Sequence, residues 1–180
     1  MTPRRCLIWF VLSGIGGAAL DLLHTHLGVL SYREPWLFGQ AWWVAPNFGI
    51  GFSIFLAIGM LMTKRAIDLP TPRESELYRS GAIFAGAYLL SCFFSDHPWL
   101  MLLFFVAVFL GRAMRGPATK LFIAHALALA AMGTAFELAL TSTGAYWFHH
   151  PDVLTVPAWL PGLYLNGAPF GLWLAKKLAR

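Results

Sequence analysis

The sequence predicts an all-α integral membrane protein, a bundle of six transmembrane helices with the N- and C-termini both cytoplasmic. Three observations carry that expectation. Hydrophobic residues make up 58% of the 180 positions and charged residues only 12%, against roughly 25% charged in soluble domains. A soluble chain this small must cover a large surface with polar groups, and thirteen Lys or Arg with eight Asp or Glu do not suffice. The apolar residues gather in six stretches, and the basic residues fall on alternate connections between them, as the positive-inside rule requires.

The first stretch, Cys6–Leu23, follows Arg4 and Arg5. It has the outline of a signal peptide but lacks a persuasive small-x-small cleavage site, so it reads as a span. The second, Trp42–Met62, the fifth, Ala118–Leu140, and the sixth, Trp159–Ala175, suit a helix crossing a bilayer, which needs about 20 residues at about 1.5 Å each. The third, Ser80–Ser95, and the fourth, Pro98–Leu110, are short. Asp96-His97-Pro98 between them is a turn signal, so Ser80–Leu110 reads as a tight hairpin with Arg79 and Arg112 snorkelling at its open ends. Twelve basic residues then share one side, including Lys64, Arg65, Arg73, Arg115, Lys120, Lys176, Lys177 and Arg180, and only Arg33 lies on the other. The loop Thr63–Arg79 is the longest polar connection and reads as exposed and cytoplasmic. Residues 1–180 form a single six-span membrane domain with no evident fixed-period repeat and no low-complexity tract.

Several function classes are disfavoured. The net charge of +5 is spread over short clusters and forms no basic face for nucleic acid. Cys6 and Cys92 both lie inside apolar runs and read as free buried thiols. His149 and His150, with His24, His26 and Asp152, are a poor metal set, because adjacent loop histidines need a third fixed ligand. No Gly-rich phosphate loop, nucleophile elbow or HExxH pattern is present. The expectation is therefore no metal and no cofactor.

Charged groups inside a bilayer are costly and point to function. Asp21 and Glu137 are the clear cases, joined by Asn47, His125 and Asn166. Glu137 lies one turn from the outer end of the fifth span, about 5 Å deep by helical rise. Asn47 and Asn166 sit early in the second and sixth spans, and Asp21 near the outer end of the first. Four polar groups from four spans thus share the outer half of the membrane, and His125 alone lies in the inner half. Singly, each reads as hydrogen-bonding glue between helices, and Asp21 with His24 at i,i+3 as an interfacial pair. Together they predict a shared polar-lined cavity. Ser13, Gly14, Gly17 and Ala18 form small-xxx-small pairs that let another helix approach. Pro169, within Asn166-Gly167-Ala168-Pro169-Phe170-Gly171, should kink the sixth span and free a carbonyl near Leu165, as in the interrupted spans that line transporter sites. Trp42, Trp43, Tyr146, Trp147, Phe148 and Trp159 read first as an outer aromatic belt.

Those aromatic segments also carry a resemblance. Ala41-Trp42-Trp43-Val44-Ala45-Pro46, followed by Gly49, resembles the start of the second span in the insulin-induced gene (Insig) family. Tyr146-Trp147-Phe148-His149-His150-Pro151-Asp152, then Trp159-Leu160-Pro161 and a Gly-rich helix closing with Lys176-Lys177-Leu178-Ala179, resembles that family's last loop and sixth span. The matching segments cover about a quarter of the chain, and its span count and short termini fit a compact bacterial-type member. The resemblance implies a six-span bundle around a lipid-accessible cavity and a binding protein instead of a catalyst. Animal members bind oxysterols and retain a sterol-sensing escort protein and a sterol-synthesis enzyme in the endoplasmic reticulum. Their polar stretch near the end of the third span is replaced here by Leu90-Ser91-Cys92-Phe93-Phe94-Ser95-Asp96, a departure that puts the escort interaction in doubt.

The leading expectation is a non-enzymatic protein holding an amphipathic lipid, a diacylglycerol or sterol-like molecule. Its polar head would lie near Asp21, Asn47, Glu137 and Asn166, and its tail among side chains such as Trp43 and Phe170. The alternative is an intramembrane lipid-modifying enzyme using Asp21 and Glu137 as acid and base. A proton-coupled transporter would need polar groups continuing inward, where only His125 is available. Phe-, Leu- and Val-rich faces on the third and fourth spans predict a homo-oligomer packed through Ser80–Leu110. The expected location is the bacterial inner membrane, with the endoplasmic reticulum membrane as the alternative.

Overall fold

The computed structural model describes residues 3–65, 72–115 and 119–178, so the middle of the Thr63–Arg79 loop lies outside the described residues. The elements run α1 (Pro3–His26), β1 (Leu30–Tyr32), α2 (Val44–Arg65), α3 (Glu74–Phe93), α4 (Pro98–Ala113), α5 (Thr119–Ser142), β2 (Tyr146–Phe148) and α6 (Leu160–Leu178). Among the described residues, Arg4–His26, Val44–Thr63 and Lys120–Ser142 are helices long and apolar enough to cross a membrane. The third helix differs from its hydropathy outline. It starts at Glu74, ahead of the apolar run, where the Arg73 N–H donates to the Glu76 carboxylate at 2.8 Å. A negative first turn suits a helix N-terminus, and the added turns bring α3 to 20 residues. Pro98 opens α4 in its first turn, where its missing N–H costs nothing.

α6 is the centre of the bundle, packed against α2, α3, α4 and α5, while α1 packs on α2 and α3. Twelve of the sixteen positions from Leu160 to Ala175 are buried. Its glycines make that possible, because a Cβ at Gly162 would stand 2.9 Å from Phe105 and one at Gly167 2.7 Å from Phe84. Neighbouring helices therefore approach its backbone, as small residues allow where helices meet in lipid. The helix runs on through the buried Pro169 to Leu178. The small stripe of α1 serves α2: a Cβ on Gly14 would come 2.7 Å from the Ala45 carbonyl oxygen, and one on Gly17 would run into the Phe48 ring.

The hydropathy pattern gave no hint of strands. β1 and β2 pair antiparallel, Leu30 with Phe148, Ser31 with Trp147 and Tyr32 with Tyr146, and cap one end of the bundle. Both α1 and α5 run toward this sheet and α2 and α6 run away from it. Pro3, which opens α1, and Leu178, which ends α6, therefore lie at the opposite end.

The sheet also exposes an internal repeat that the sequence concealed. Pro3 and Thr119 open α1 and α5, Val44 and Leu160 open α2 and α6, and both pairs are 116 positions apart (119 − 3 and 160 − 44). The same spacing relates hydrogen bonds. Gly28 N–H donates to Thr25 O, and Gly144 N–H to Thr141 O. Arg33 N–H donates to Ala145 O, and His149 N–H to Val29 O. Two isolated bridges, Leu37 with Gln40 and Val153 with Val156, obey it too. Unit α1–β1–α2 and unit α5–β2–α6 are thus one element used twice, with the α3–α4 hairpin between them. The ladder register is symmetric about Ser31 and Trp147, which puts a pseudo-twofold axis through that pair. Because α1 and α5 run the same way, the axis lies along the helices.

Candidate functional site

The repeat makes Asp21 and Glu137 counterparts, since 137 − 21 is again 116. In each case the threonine four residues on folds its hydroxyl back onto the carboxylate residue's carbonyl, Thr25 to Asp21 at 3.2 Å and Thr141 to Glu137 at 2.8 Å. The side chains find different donors. Asp21 is buried, and its Oδ2 accepts from the Tyr32 hydroxyl and from Gln40 Nε2, both at 2.7 Å. Gln40 Nε2 also donates to the Ala18 carbonyl at 2.8 Å. Glu137 is half-buried, and its Oε1 accepts from the Tyr164 hydroxyl at 2.6 Å. A buried acceptor left without such a donor is costly, so the two phenols fix where the carboxylates sit.

Tyr32, in the capping sheet, joins the two halves. Burial pushes its phenol well above the ordinary tyrosine range, and the negative charge of Asp21 adds to that, followed by Glu137. The hydroxyl thus stays a donor, and both carboxylates lie within electrostatic reach of it. Around it the Trp43 ring meets Tyr32 edge-on at 5.4 Å, and Tyr146 lies 5.4 Å away. Two buried donors beside this cluster, the Tyr146 hydroxyl and Trp159 Nε1, find no partner among the described residues. His24 turns the other way, with Nε2 2.8 Å from the Ser91 hydroxyl and its ring stacked on Tyr88 at 4.9 Å. Asp21 and His24 therefore do not pair.

The other residues singled out in the sequence fall in three places. Asn47 is half-buried in the first turns of α2. Asn166 is fully buried in the bundle centre, where its amide donates to the Phe105 carbonyl at 2.9 Å and the Gly162 carbonyl at 3.0 Å. Arg112 donates to its backbone carbonyl at 3.2 Å. Phe170 is half-buried farther from the sheet, 6.4 Å from Phe52. His125 is fully buried against Phe55, with ring centroids 4.1 Å apart, and neither nitrogen finds a hydrogen-bond partner among the described residues. The aromatic belt is largely a core: Trp43, Tyr146, Phe148 and Trp159 pack beneath the sheet, and only Trp42 and Trp147 are exposed. Tyr32, Gln40 and Tyr164 were missed in the sequence, where nothing links them to their carboxylates.

No family model matches the chain. It is 25% identical over 174 residues to the insulin-induced gene 1 protein of Xenopus tropicalis, covering 91% of this chain and 68% of that protein. The human insulin-induced gene 1 protein is 24% identical over the same share of this chain, which spans 61% of the human protein. Among solved structures, MvINS, the Insig homologue of Mycobacterium vanbaalenii, superposes with a TM-score of 0.79 at 19% identity, covering 100% of this chain and 97% of that one. MvINS has also been crystallised as a cross-linked trimer, which matches to the same degree. Aligned over nine-tenths of its length with the animal proteins and end to end with the mycobacterial one, the chain is similar in sequence to Insig proteins and shares the fold of MvINS.

Proposed function

We propose that this integral membrane protein is a non-enzymatic lipid-binding protein, holding an amphipathic lipid of diacylglycerol or sterol-like type with its polar head at the Asp21–Glu137 cluster. The observation that carries this reading is the pairing of two hydrogen-bonded carboxylates with two buried, partnerless donors, the Tyr146 hydroxyl and Trp159 Nε1. A hydroxyl head group both donates and accepts, so it suits acceptors and donors gathered at one end of an apolar bundle. Trp43 and Asn47 flank this head position. Asn166 helps as the anchor of α6, and Phe170 lies along the tail's path between helices. Residues 1–180 act as one membrane domain whose six helices form six spans, with the sheet outside and both termini cytoplasmic. Twelve of thirteen basic residues on one side support that orientation.

We further assign the protein to the bacterial inner membrane, in keeping with its likeness to MvINS, and to a homo-oligomer. Exposed apolar side chains on α3 and α4, including Phe93, Trp99, Leu100, Leu103 and Phe104, supply a face for the second assignment. The lipid reading is tested by extracting purified protein and comparing bound lipid with the source membrane by mass spectrometry. One enriched amphipathic class is expected, retained in Glu137→Gln and depleted in Asp21→Leu. A preparation with no selectively retained lipid would sink the reading. Turnover of a lipid that both Asp21→Asn and Glu137→Gln abolish would move it to an intramembrane enzyme.

A further inference from the structure

The two connections between sheet and helix are longer than the gap they bridge needs to be, and they turn back into the bundle. The Ala45 carbonyl lies against Gly14, so α2 begins about a dozen residues, or about 18 Å of helical rise, below the sheet end of α1. Phe48 meets Gly17 and Tyr164 meets Gly133, which sets α6 equally far below the end of α5. The chain must therefore descend from the sheet alongside α1 and α5 before each second helix starts. On the first side it does so as a bridged finger, Leu37 to Gln40, whose Gln40 reaches Ala18 and Asp21. On the second, Val153 to Val156 repeats the bridge, and Thr155 Oγ1 lies 2.6 Å from Thr141 Oγ1.

The tips of both fingers break two rules at once. Phe38 (φ 52°) and Leu154 (φ 57°) occupy the left-handed region that normally selects glycine or asparagine. Both are also large apolar side chains projecting from the protein, 75% and 82% exposed, with Trp36 73% exposed beside the first. The charged and titratable groups of these connections, Arg33, Glu34, His149, His150 and Asp152, sit at the finger bases near the sheet. The polarity thus falls from base to tip on both sides of the pseudo-twofold axis. That gradient follows a bilayer's outer interface, where aromatic and aliphatic side chains anchor.

We propose that the fingers 36–40 and 152–156 are a matched pair of membrane anchors, inserted into the outer leaflet with Phe38 and Leu154 among lipid chains. The partner is lipid, because each finger stands against the sheet end of a helix long and apolar enough to cross a membrane, Gly39 beside Thr25 of α1 and Thr155 beside Thr141 of α5. The test uses full-length protein with Cys6 and Cys92 replaced by Ser, carrying Phe38→Cys or Leu154→Cys with a nitroxide label. It is reconstituted in phosphatidylcholine–phosphatidylglycerol vesicles, with Arg33→Cys and His150→Cys as base controls. Both tip labels should be more accessible to oxygen than to a water-soluble nickel chelate, at similar depths, and the controls should show the reverse. Trp36→Cys repeats the measurement should Phe38→Cys fail to assemble. Tip labels as open to the chelate as the controls overturn the proposal. So do labels shielded from both reagents, which would place the tips against another protein surface or a second copy.

Discussion

One methylene separates Asp21 from Glu137, and the donors that answer them come from opposite parts of the fold. Tyr32 reaches Asp21 from the sheet, and its counterpart in the second unit is Phe148. Tyr164 reaches Glu137 from α6, and its counterpart in the first unit is Phe48. Each half therefore keeps the aromatic ring at both places and the hydroxyl at one. Tyr164→Phe should destabilise the protein by about 1–3 kcal/mol, the cost of leaving a buried acceptor unpaired, measured by thermal unfolding in detergent. Tyr32→Phe should cost less, since Gln40 still donates to the same Asp21 oxygen. Asn166→Ala removes two donors to backbone carbonyls on α4 and α6 and should lower stability by about 0.6–2 kcal/mol, within the range for polar contacts between membrane helices. The carboxylates themselves were legible in the sequence, because a charge in an apolar run stands out. Their donors were not, because tyrosine fits an interface or a core equally well and Tyr164 lies 27 residues from its partner.

At the scale of elements, close backbone approach is the main constraint. Gly133→Ala would press a methyl within about 3 Å of the Tyr164 ring, displacing its hydroxyl from Glu137. A loss of about 1–3 kcal/mol is expected for such overpacking, with Gly17→Ala behaving alike through Phe48. Gly16→Ala, which meets open space, should be neutral or mildly stabilising and serves as the control in the same unfolding assay. The end of α6 is tied to the start of α3 by Lys177 and Glu74 at 2.6 Å. Lys177 holds the Glu74 carboxyl below its ordinary range. A carboxylate with a depressed folded pKa contributes above its unfolded value and loses that contribution as the pH falls through the folded one. Both side chains are well exposed, so Glu74→Gln should leave the unfolding temperature unchanged at neutral pH. Hydropathy outlined the apolar parts of all six helices but missed the charged first turn of α3. It missed the strands as well, since three residues of aromatic sequence between loops carry no period to detect.

For the whole molecule, the repeat reorganises what the chain is. Gly28 and Gly144, Thr25 and Thr141, Pro35 and Pro151, and Trp43 and Trp159 are identical between the units, but most counterparts share only size or backbone role. A repeat held by hydrogen bonds at matching positions, and not by side-chain identity, leaves no periodic trace in a sequence. Gly28 (φ 74°) and Gly144 (φ 71°) close the same turn into the sheet. Alanine at either should cost about 1 kcal/mol, with nearly equal shifts in unfolding temperature. Chains split after Arg115 and co-expressed should assemble and co-purify, because the ladder, α5, α6 and their neighbours meet across the break without needing a peptide bond there. Failure of the two pieces to associate would show that the hairpin connection, and not the interface between units, holds them together.

That arrangement has a consequence in parity. A unit of two antiparallel helices returns the chain to the face it left, so the second unit enters with the orientation of the first only if whatever lies between also makes an even number of passes. The α3–α4 hairpin satisfies this as a pair, whatever its depth. Lengthening or shortening its two helices together keeps α5 running the same way as α1, while gain or loss of a single helix would turn α5 upside down. Any change in the hairpin that preserves the fold must therefore keep its number of passes even.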